Sequence, residues 1–192
     1  MRDTLKSVFG WLYIKRQFIV HTLVLLIVLT YFIYTLGYAT NWSGVITETR
    51  GANFYRASQQ ANRLMVDLGF ASIIIILINM AMGSFKRKKY YISNFLLSVM
   101  TVVIMIVSAV ITLYYNSVLE RMYQKITEEE VPAYLYLTHG AGEKSYQIFH
   151  QGNVLSFIMI VIAIILIIFT IHKQAVQKER AKLVKEMLVH EL

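Results

Sequence analysis

The chain has 192 residues, carries a formal net charge of +8 and contains no cysteine. Hydrophobic residues make up 57% of it, more than the roughly 45–50% of soluble domains, so a water-soluble globular fold is disfavoured. The absence of cysteine excludes structural disulfides, thiolate metal sites and cysteine nucleophiles.

Four long stretches without a charged residue predict four transmembrane helices. These stretches are 17–47, 68–85, 90–119 and 145–172. Each is long enough to cross about 30 Å of hydrocarbon, which takes roughly 20 helical residues. A helix satisfies its backbone hydrogen bonds internally, as a segment in lipid must. We therefore expect an all-α integral membrane protein, folded as a four-transmembrane-helix bundle.

The first half of the chain predicts one transmembrane hairpin. Residues 1–16 have apolar positions at helical spacing and predict a cytoplasmic interfacial helix. The first hairpin then occupies 17–89, with spans at about 18–38 and 64–85. Its outer loop is 39–63, and the helical pattern begins within this loop, before span two.

The second half repeats this organisation. The second hairpin occupies 90–172, with spans at about 91–115 and 153–172. Its outer loop is 116–152, and the apolar stripe of span three continues into it. We therefore expect helices that extend on the outer side. Residues 173–192 predict a cytoplasmic helical tail.

The basic residues indicate orientation. Thirteen of the 19 Lys and Arg lie at the two termini and in the 86–89 loop, and six lie on the other side. The positive-inside rule places both termini in the cytoplasm. Basic residues placed in this way indicate contact with the lipid bilayer and not with nucleic acid. The cysteine-free outer loops differ from the disulfide-bearing loops of animal four-span families, so we expect a bacterial plasma membrane.

A short pattern occurs twice, each time where an outer segment enters a span. YRASQQANRL starts at Tyr55, and YQIFHQGNVL starts at Tyr146, ninety-one residues later. Both read Y-x4-Q-x-N-x-L, which predicts a tandem duplication of the hairpin, related by an axis along the membrane normal. The candidate residues for a polar mouth or a partner contact are Tyr55, Gln60, Asn62, Tyr146, Gln151 and Asn153.

Two interpretations of this repeat stay open. Amides at the edge of the hydrocarbon need partners, and interhelical bonds of this kind contribute roughly 0.6–2 kcal/mol. The repeated amides either lock the outer ends of the bundle together or form a mouth that contacts a solute or a partner protein.

Asp67 is the one acidic residue inside a predicted span. Arg63 precedes it by four residues, on the same helix face, and predicts an intramembrane ion pair. An ionisable group within a span is also a candidate ion or proton site, and the sequence favours neither alternative.

The sequence contains no nucleophile beside a base, no metal-ligand set and no nucleotide-binding loop, so we expect no enzyme and no cofactor. We expect a non-enzymatic accessory or scaffolding subunit of a larger membrane complex, and specifically of a transport complex. Its partners would be other protein subunits or copies of itself. One alternative is a small homo-oligomeric transporter or channel that uses Asp67 and the outer amides. The other is a membrane sensor that binds a ligand through its outer helical loops.

Overall fold

A computed structural model describes residues 2–37, 50–83, 91–126 and 146–190. Four helices account for nearly all of these residues: α1 (Arg2–Gly37), α2 (Arg50–Gly83), α3 (Tyr91–Gln124) and α4 (Gln147–His190). No strand occurs within these four ranges. The parts of the predicted outer loops at 38–49 and 127–145 lie outside the described residues.

Each helix contains a segment long and apolar enough to cross a membrane. These segments are Phe18–Leu36, Arg56–Met82, Ile92–Gln124 and Gln147–Glu179. The predicted all-α fold with four such helices is therefore confirmed. Helix α1 runs without a break through most of segment 1–16, for which the sequence predicts an interfacial helix. The domain boundaries stay predictions.

The helices form an up-and-down bundle in which neighbours along the chain are also neighbours in space. Helix α1 packs against α2 and α4, and α3 packs against α2 and α4. We call the end where α1 and α3 finish the Tyr34 end, because Tyr34 there contacts Asn116 of α3 and Ile148 of α4. The opposite end is the His21 end, where Asn79 of α2 meets Ser98 of α3.

Buried positions recur at alternating steps of three and four residues. On α1 they are His21, Val24, Val28, Tyr31 and Thr35. On α4 they include Phe149, Gly152, Ser156, Met159, Ala163, Leu166 and Thr170, and Leu155 is buried beside this stripe. This spacing keeps one stripe of each helix facing its neighbours, as in coiled-coil packing. The bundle therefore buries one seam per helix and leaves apolar residues on its perimeter.

Helices α2 and α3 depart from this spacing at one level. Two successive steps of four occur at Ala61, Met65 and Gly69 on α2, and at Ser108, Thr112 and Asn116 on α3. The two interruptions adjoin, since Thr112 Oγ1 lies 3.5 Å from Met65 Sδ. An inserted step of four locally unwinds a supercoil. Because both helices carry it at the same level, their seams stay in register.

Two apolar clusters fill the bundle. The larger lies along its middle, and its members with no exposed surface include Val28, Ile76, Met105 and Met159. The other, which we call the aromatic cap, closes the Tyr34 end. In it the ring of Tyr123 lies 5.6 Å from that of Phe54 and 5.8 Å from that of Phe149, between ring centroids. Offset and tilted rings at these separations attract each other beyond the effect of burial.

The packing of the middle cluster predicts that alanine substitutions at two methionines of α3 change the free energy of unfolding by different amounts. Met105 is fully buried and Met100 is 47% exposed. Met105→Ala leaves a cavity, which we expect to lower the free energy of unfolding by about 2 kcal/mol, since the transfer contribution is small in lipid and the cavity contribution remains. The matched control, Met100→Ala, should change it by less than about 0.5 kcal/mol. Reversible unfolding in mixed micelles measures both, and equal losses would contradict the assignment of α3's buried face.

Candidate functional site

A polar cluster at the Tyr34 end joins three helices. Asn116 of α3 donates from Nδ2 to Asn153 Oδ1 at 3.1 Å and to the Phe149 carbonyl at 3.2 Å, both on α4. Tyr34 of α1 donates from its hydroxyl to Asn116 Oδ1 at 3.3 Å, with the Ile148 carbonyl 3.4 Å away. We call Tyr34, Asn116 and Asn153 the Tyr34 cluster.

The central amide of this cluster is fully satisfied. Asn116 has no exposed surface, and an amide offers two N–H donors and one carbonyl acceptor. Both donors reach α4, and the acceptor receives the Tyr34 hydroxyl. Removing one member would leave buried partners without hydrogen bonds, at about 1–3 kcal/mol each. The cluster therefore fixes α1, α3 and α4 relative to one another.

Gly152 of α4 makes room for the cluster. A Cβ atom at this position would overlap the Tyr34 hydroxyl and would lie 2.5 Å from Asn116 Nδ2. Any other residue would push both side chains away from α4. The glycine is therefore required by the close approach of these two polar side chains to α4.

A second polar contact crosses the bundle one turn deeper. The hydroxyls of Tyr31 and Thr112 lie 3.0 Å apart, and both residues are fully buried. Thr112 donates its single proton to the Ser108 carbonyl at 2.8 Å, so Tyr31 is the donor between the two hydroxyls. This bond ties α1 to α3 across the bundle axis.

The repeated residues occupy unequal environments. Asn153 belongs to the Tyr34 cluster, and Tyr146 stacks edge-on against Tyr123 with ring centroids 5.3 Å apart. Gln60 and Gln151 are exposed. Tyr55 lies on α2, but its side chain lies outside the described part of the structure. The described residues thus include one repeat amide that braces helices and two that face outward.

Asn62 is half-buried, and its buried Oδ1 has no hydrogen-bond partner among the described residues. In the repeated motif, Asn62 corresponds to Asn153, which accepts a hydrogen bond from Asn116. No bond joins Asn62 to Asn153 in the part described.

Arg63 and Asp67 lie on the perimeter of α2. Both side chains are exposed, and no ion pair between them occurs among the described residues. Arg56 and Gln60 are also exposed, and steps of four, three and four residues place all four on one face of the helix. We call this set the α2 polar stripe. Because it faces outward, it does not line the interior of the bundle.

A small polar cavity lies at the His21 end, between all four helices. Its lining includes His21, Asn79, Asn94, Ser98 and Lys173. Asn79 and Ser98 bond to each other, with Asn79 Nδ2 3.1 Å from Ser98 Oγ. The buried Oδ1 of Asn94 has no partner among the described residues. We call this cavity the His21 cleft.

The remaining buried hydroxyls are mostly satisfied within their own helices, apart from those of Thr22 and Ser58, which have no partner among the described residues. The satisfied hydroxyls donate to the carbonyl three or four residues earlier, as Ser72, Thr101 and Ser156 do at 2.7–2.8 Å. Side chains used in this way do not form a hydrated lining. Among the described residues, no group of three His, Cys, Asp or Glu is placed to hold a metal ion.

Sequence reasoning overlooked Tyr34, Asn116 and Gly152, as well as most of the His21 cleft. One signal was present in α3. Its polar residues recur at helical spacing along one face, and they are Asn94, Ser98, Thr101, Ser108, Thr112 and Asn116. Such a stripe inside an apolar span predicts interhelical hydrogen bonds, although it does not identify their partners.

Comparison with known proteins yields no match: no protein-family model, no curated protein and no solved structure is significantly similar to this chain. The geometry of its own residues is therefore the basis for any functional assignment.

The close contact at Gly152 predicts that substitutions at Gly152 and Tyr34 have non-additive effects on stability. Gly152→Ala should destabilise the bundle by about 2 kcal/mol, because the new methyl displaces the Tyr34 hydroxyl and the Asn116 amide. Tyr34→Phe removes the hydroxyl that the methyl meets, so the double variant should lose less than the sum of the two single losses. Unfolding in mixed micelles measures the cycle. Tyr114→Phe is the matched control, since Tyr114 is 65% exposed. Additivity in the Tyr34 cycle would contradict the packing described.

Because Asn62 and Asn153 have different hydrogen-bond partners, replacing each of them by alanine should have different effects on stability. Asn153→Ala removes an acceptor from Asn116 and should lower stability by about 1 kcal/mol. Asn62→Ala removes a carbonyl that has no partner and should be neutral or slightly stabilising. The midpoint of thermal unfolding measures both. Equal losses would show that the two amides form equivalent contacts.

Proposed function

We propose that this protein is a non-enzymatic accessory or scaffolding subunit of a larger membrane complex that carries out transport. The observation that carries the proposal is the α2 polar stripe, which is exposed on the perimeter of a bundle with a closely packed interior. The proposal also includes a bacterial plasma membrane, cytoplasmic termini and a duplicated hairpin, supported by the basic residues and by the repeated motif.

The packed interior favours a scaffold over a conduit. At the Tyr34 end, the aromatic cap fills the space between α2, α3 and α4. Below it, Val28, Ile76, Met105 and Met159 have no exposed surface. The His21 cleft, at the other end, has a volume of only about 20 Å³, which is room for about one water molecule. A solute path along the axis would require all of these layers to separate.

The α2 polar stripe favours a protein partner. Asp67 is exposed within a segment long and apolar enough to span the membrane. A carboxylate on a lipid-facing surface is unfavourable, and such groups normally face protein or water. A partner helix that supplies an amide or a basic group would satisfy Asp67 and cover Gln60 and Arg63. Interhelical hydrogen bonds of this kind stabilise membrane complexes.

The position of Asp67 also bears on the transporter alternative. In that interpretation Asp67 and the repeated amides line the route of the solute. Here Asp67, Gln60 and Gln151 are exposed, and Asn153 is bonded to Asn116. These placements support contact with a partner more than passage through the bundle.

One observation favours a sensor as the second candidate. Helix α4 is continuous for 44 residues, from Gln147 to His190, and is about 66 Å long at 1.5 Å per residue. Its first turns lie in the aromatic cap and the Tyr34 cluster, and its last turns form the tail. A displacement at Phe149 would therefore move the tail as a rigid body. Spin labels in the tail whose mobility ignores Phe149→Ala would argue against this alternative.

Photo-crosslinking tests the proposed interface. Phe70 lies beside Asp67 on the perimeter of α2 and is 57% exposed, and Phe157, on α4, is 61% exposed. Each is replaced in living cells by a photoreactive phenylalanine analogue. We expect the analogue at 70 to form a protein adduct of defined mass and the analogue at 157 to form much less. Asp67→Ala should lower the yield at 70 several-fold, because the buried partner group loses its acceptor.

Three outcomes would contradict the proposed subunit role. The first is equal yield at positions 70 and 157, which indicates non-specific contact. The second is lipid adducts alone at position 70. The third is an adduct only near twice the 22.2 kDa of the chain, which would assign the α2 polar stripe to self-association.

A further inference from the structure

The His21 cleft has no role in the proposed subunit function, yet its composition is unusual for the inside of an apolar bundle. Its polar lining comes from all four helices: His21 of α1, Asn79 of α2, Asn94 and Ser98 of α3, and Lys173 of α4. His21, Asn79 and Ser98 are 4%, 1% and 5% exposed. Polar groups buried within a membrane bundle are costly and tend to mark functional sites.

Lys173 gives the cleft a positive charge. It continues the buried stripe of α4 one turn beyond Thr170 and is half-buried. No acidic side chain lines the cleft among the described residues, and none there forms an ion pair with Lys173. The chain itself provides little opportunity for one, since 4–47, 68–119 and 145–178 contain no Asp or Glu.

The sequence next to the elements of the cleft is also basic. Lys15 and Arg16 precede His21 in the chain, and segment 84–90, which lies outside the described residues, contains Lys86, Arg87, Lys88 and Lys89. Clustered cations raise the local concentration of anions. In membrane proteins, basic pockets between helices on the cytoplasmic side bind phosphate-bearing headgroups.

The lining of the cleft also supplies neutral hydrogen-bond donors. Gln174 and Gln177 of α4 line the cleft beyond Thr170, and each offers an amide N–H pair. The deepest part, about 20 Å³, holds about one water molecule. Such a water would donate to the unpartnered Asn94 Oδ1.

We propose that the His21 cleft binds a phosphate-bearing anion at its mouth. The phosphate oxygens accept hydrogen bonds from the Lys173 ammonium and from the amides of Gln174 and Gln177. The contact between the phosphate and the Lys173 ammonium supplies most of the affinity, because charge-assisted hydrogen bonds are stronger than neutral ones. The phosphate belongs either to the headgroup of an anionic phospholipid or to a soluble phosphate compound, since both present the same oxygens.

Binding of phosphatidylglycerol to the full-length protein tests the proposal. The purified protein, in uncharged detergent, is titrated with phosphatidylglycerol or with phosphatidylcholine, and bound lipid is counted by native mass spectrometry. Phosphatidylglycerol is expected to bind at least about tenfold more tightly, because phosphatidylcholine carries no net charge. Lys173→Gln should weaken phosphatidylglycerol binding about tenfold. The matched control is Lys178→Gln, which removes the same charge from an exposed position on the same helix and should change binding less than about twofold.

A second variant changes the charge of the His21 cleft without changing its shape. Asn94→Asp keeps the side-chain volume and places a carboxylate in the cleft, where it repels the phosphate and competes for Lys173. It should abolish the preference for phosphatidylglycerol while the protein keeps its elution volume and its helical circular dichroism. Loss of binding together with loss of folding in both variants would instead assign the cleft a structural role and overturn the proposal.

Inorganic phosphate at millimolar concentration distinguishes the two sources. Displacement of phosphatidylglycerol by phosphate identifies a site for soluble phosphate compounds. Lipid binding that resists phosphate identifies a headgroup site that also needs the acyl chains. Equal weakening by Lys173→Gln and Lys178→Gln, or equal affinity for the two lipids, would overturn the proposal. These results are independent of the α2 polar stripe, so they leave the subunit proposal unaffected.

Discussion

Every polar side chain buried in this bundle must find its hydrogen-bond partner inside the protein, because hydrocarbon provides none. The described helices satisfy most of that requirement locally, with serine and threonine hydroxyls that donate to carbonyls of their own helix. The polar side chains that cannot be satisfied within their own helix determine how the helices are arranged. Asn116 cannot be satisfied within α3, so it binds α4 and receives Tyr34 of α1. One amide thereby sets the positions of three helices at one end.

The two ends of the bundle use polar groups differently. At the Tyr34 end, Asn116 is saturated by hydrogen bonds to α1 and α4 and lies beneath a layer of aromatic rings, while Ser58 Oγ and Asn62 Oδ1 on α2 have no described partner. At the His21 end, one amide oxygen has no described partner, and a lysine points along the same seam without a described counter-ion. A saturated network stabilises structure, whereas donors and charge with free capacity favour a ligand. The half-buried lysine beside an amide oxygen without a described partner is the reason for assigning binding to the His21 end, and the saturated Asn116 network is the reason for assigning bracing to the Tyr34 end.

The repeated motif shows how similar sequences acquire different roles. Asn153 and Asn62 occupy equivalent places in the two copies, yet only Asn153 has a donor on the neighbouring helix. The question that the motif raised was whether the two amides meet each other or something else. In the described residues one of them meets Asn116 and the other meets no partner. The amides therefore do not act as a symmetric pair, whatever the origin of the repeat.

The sequence alone determined the fold class and the number of helices long and apolar enough to span a membrane, because charge-free apolar runs of about 20 residues have only one stable conformation in lipid. It also identified Asn153 and Asp67 as polar residues of interest. It did not identify Tyr34, Asn116 or Lys173 as members of clusters. Asn116 and Tyr34 are 82 residues apart in the chain, and their contact depends on how four helices rotate about their axes. That rotation is set by packing along all four seams at once, so only the tertiary structure decided which polar groups meet, which face lipid and which retain the capacity to bind.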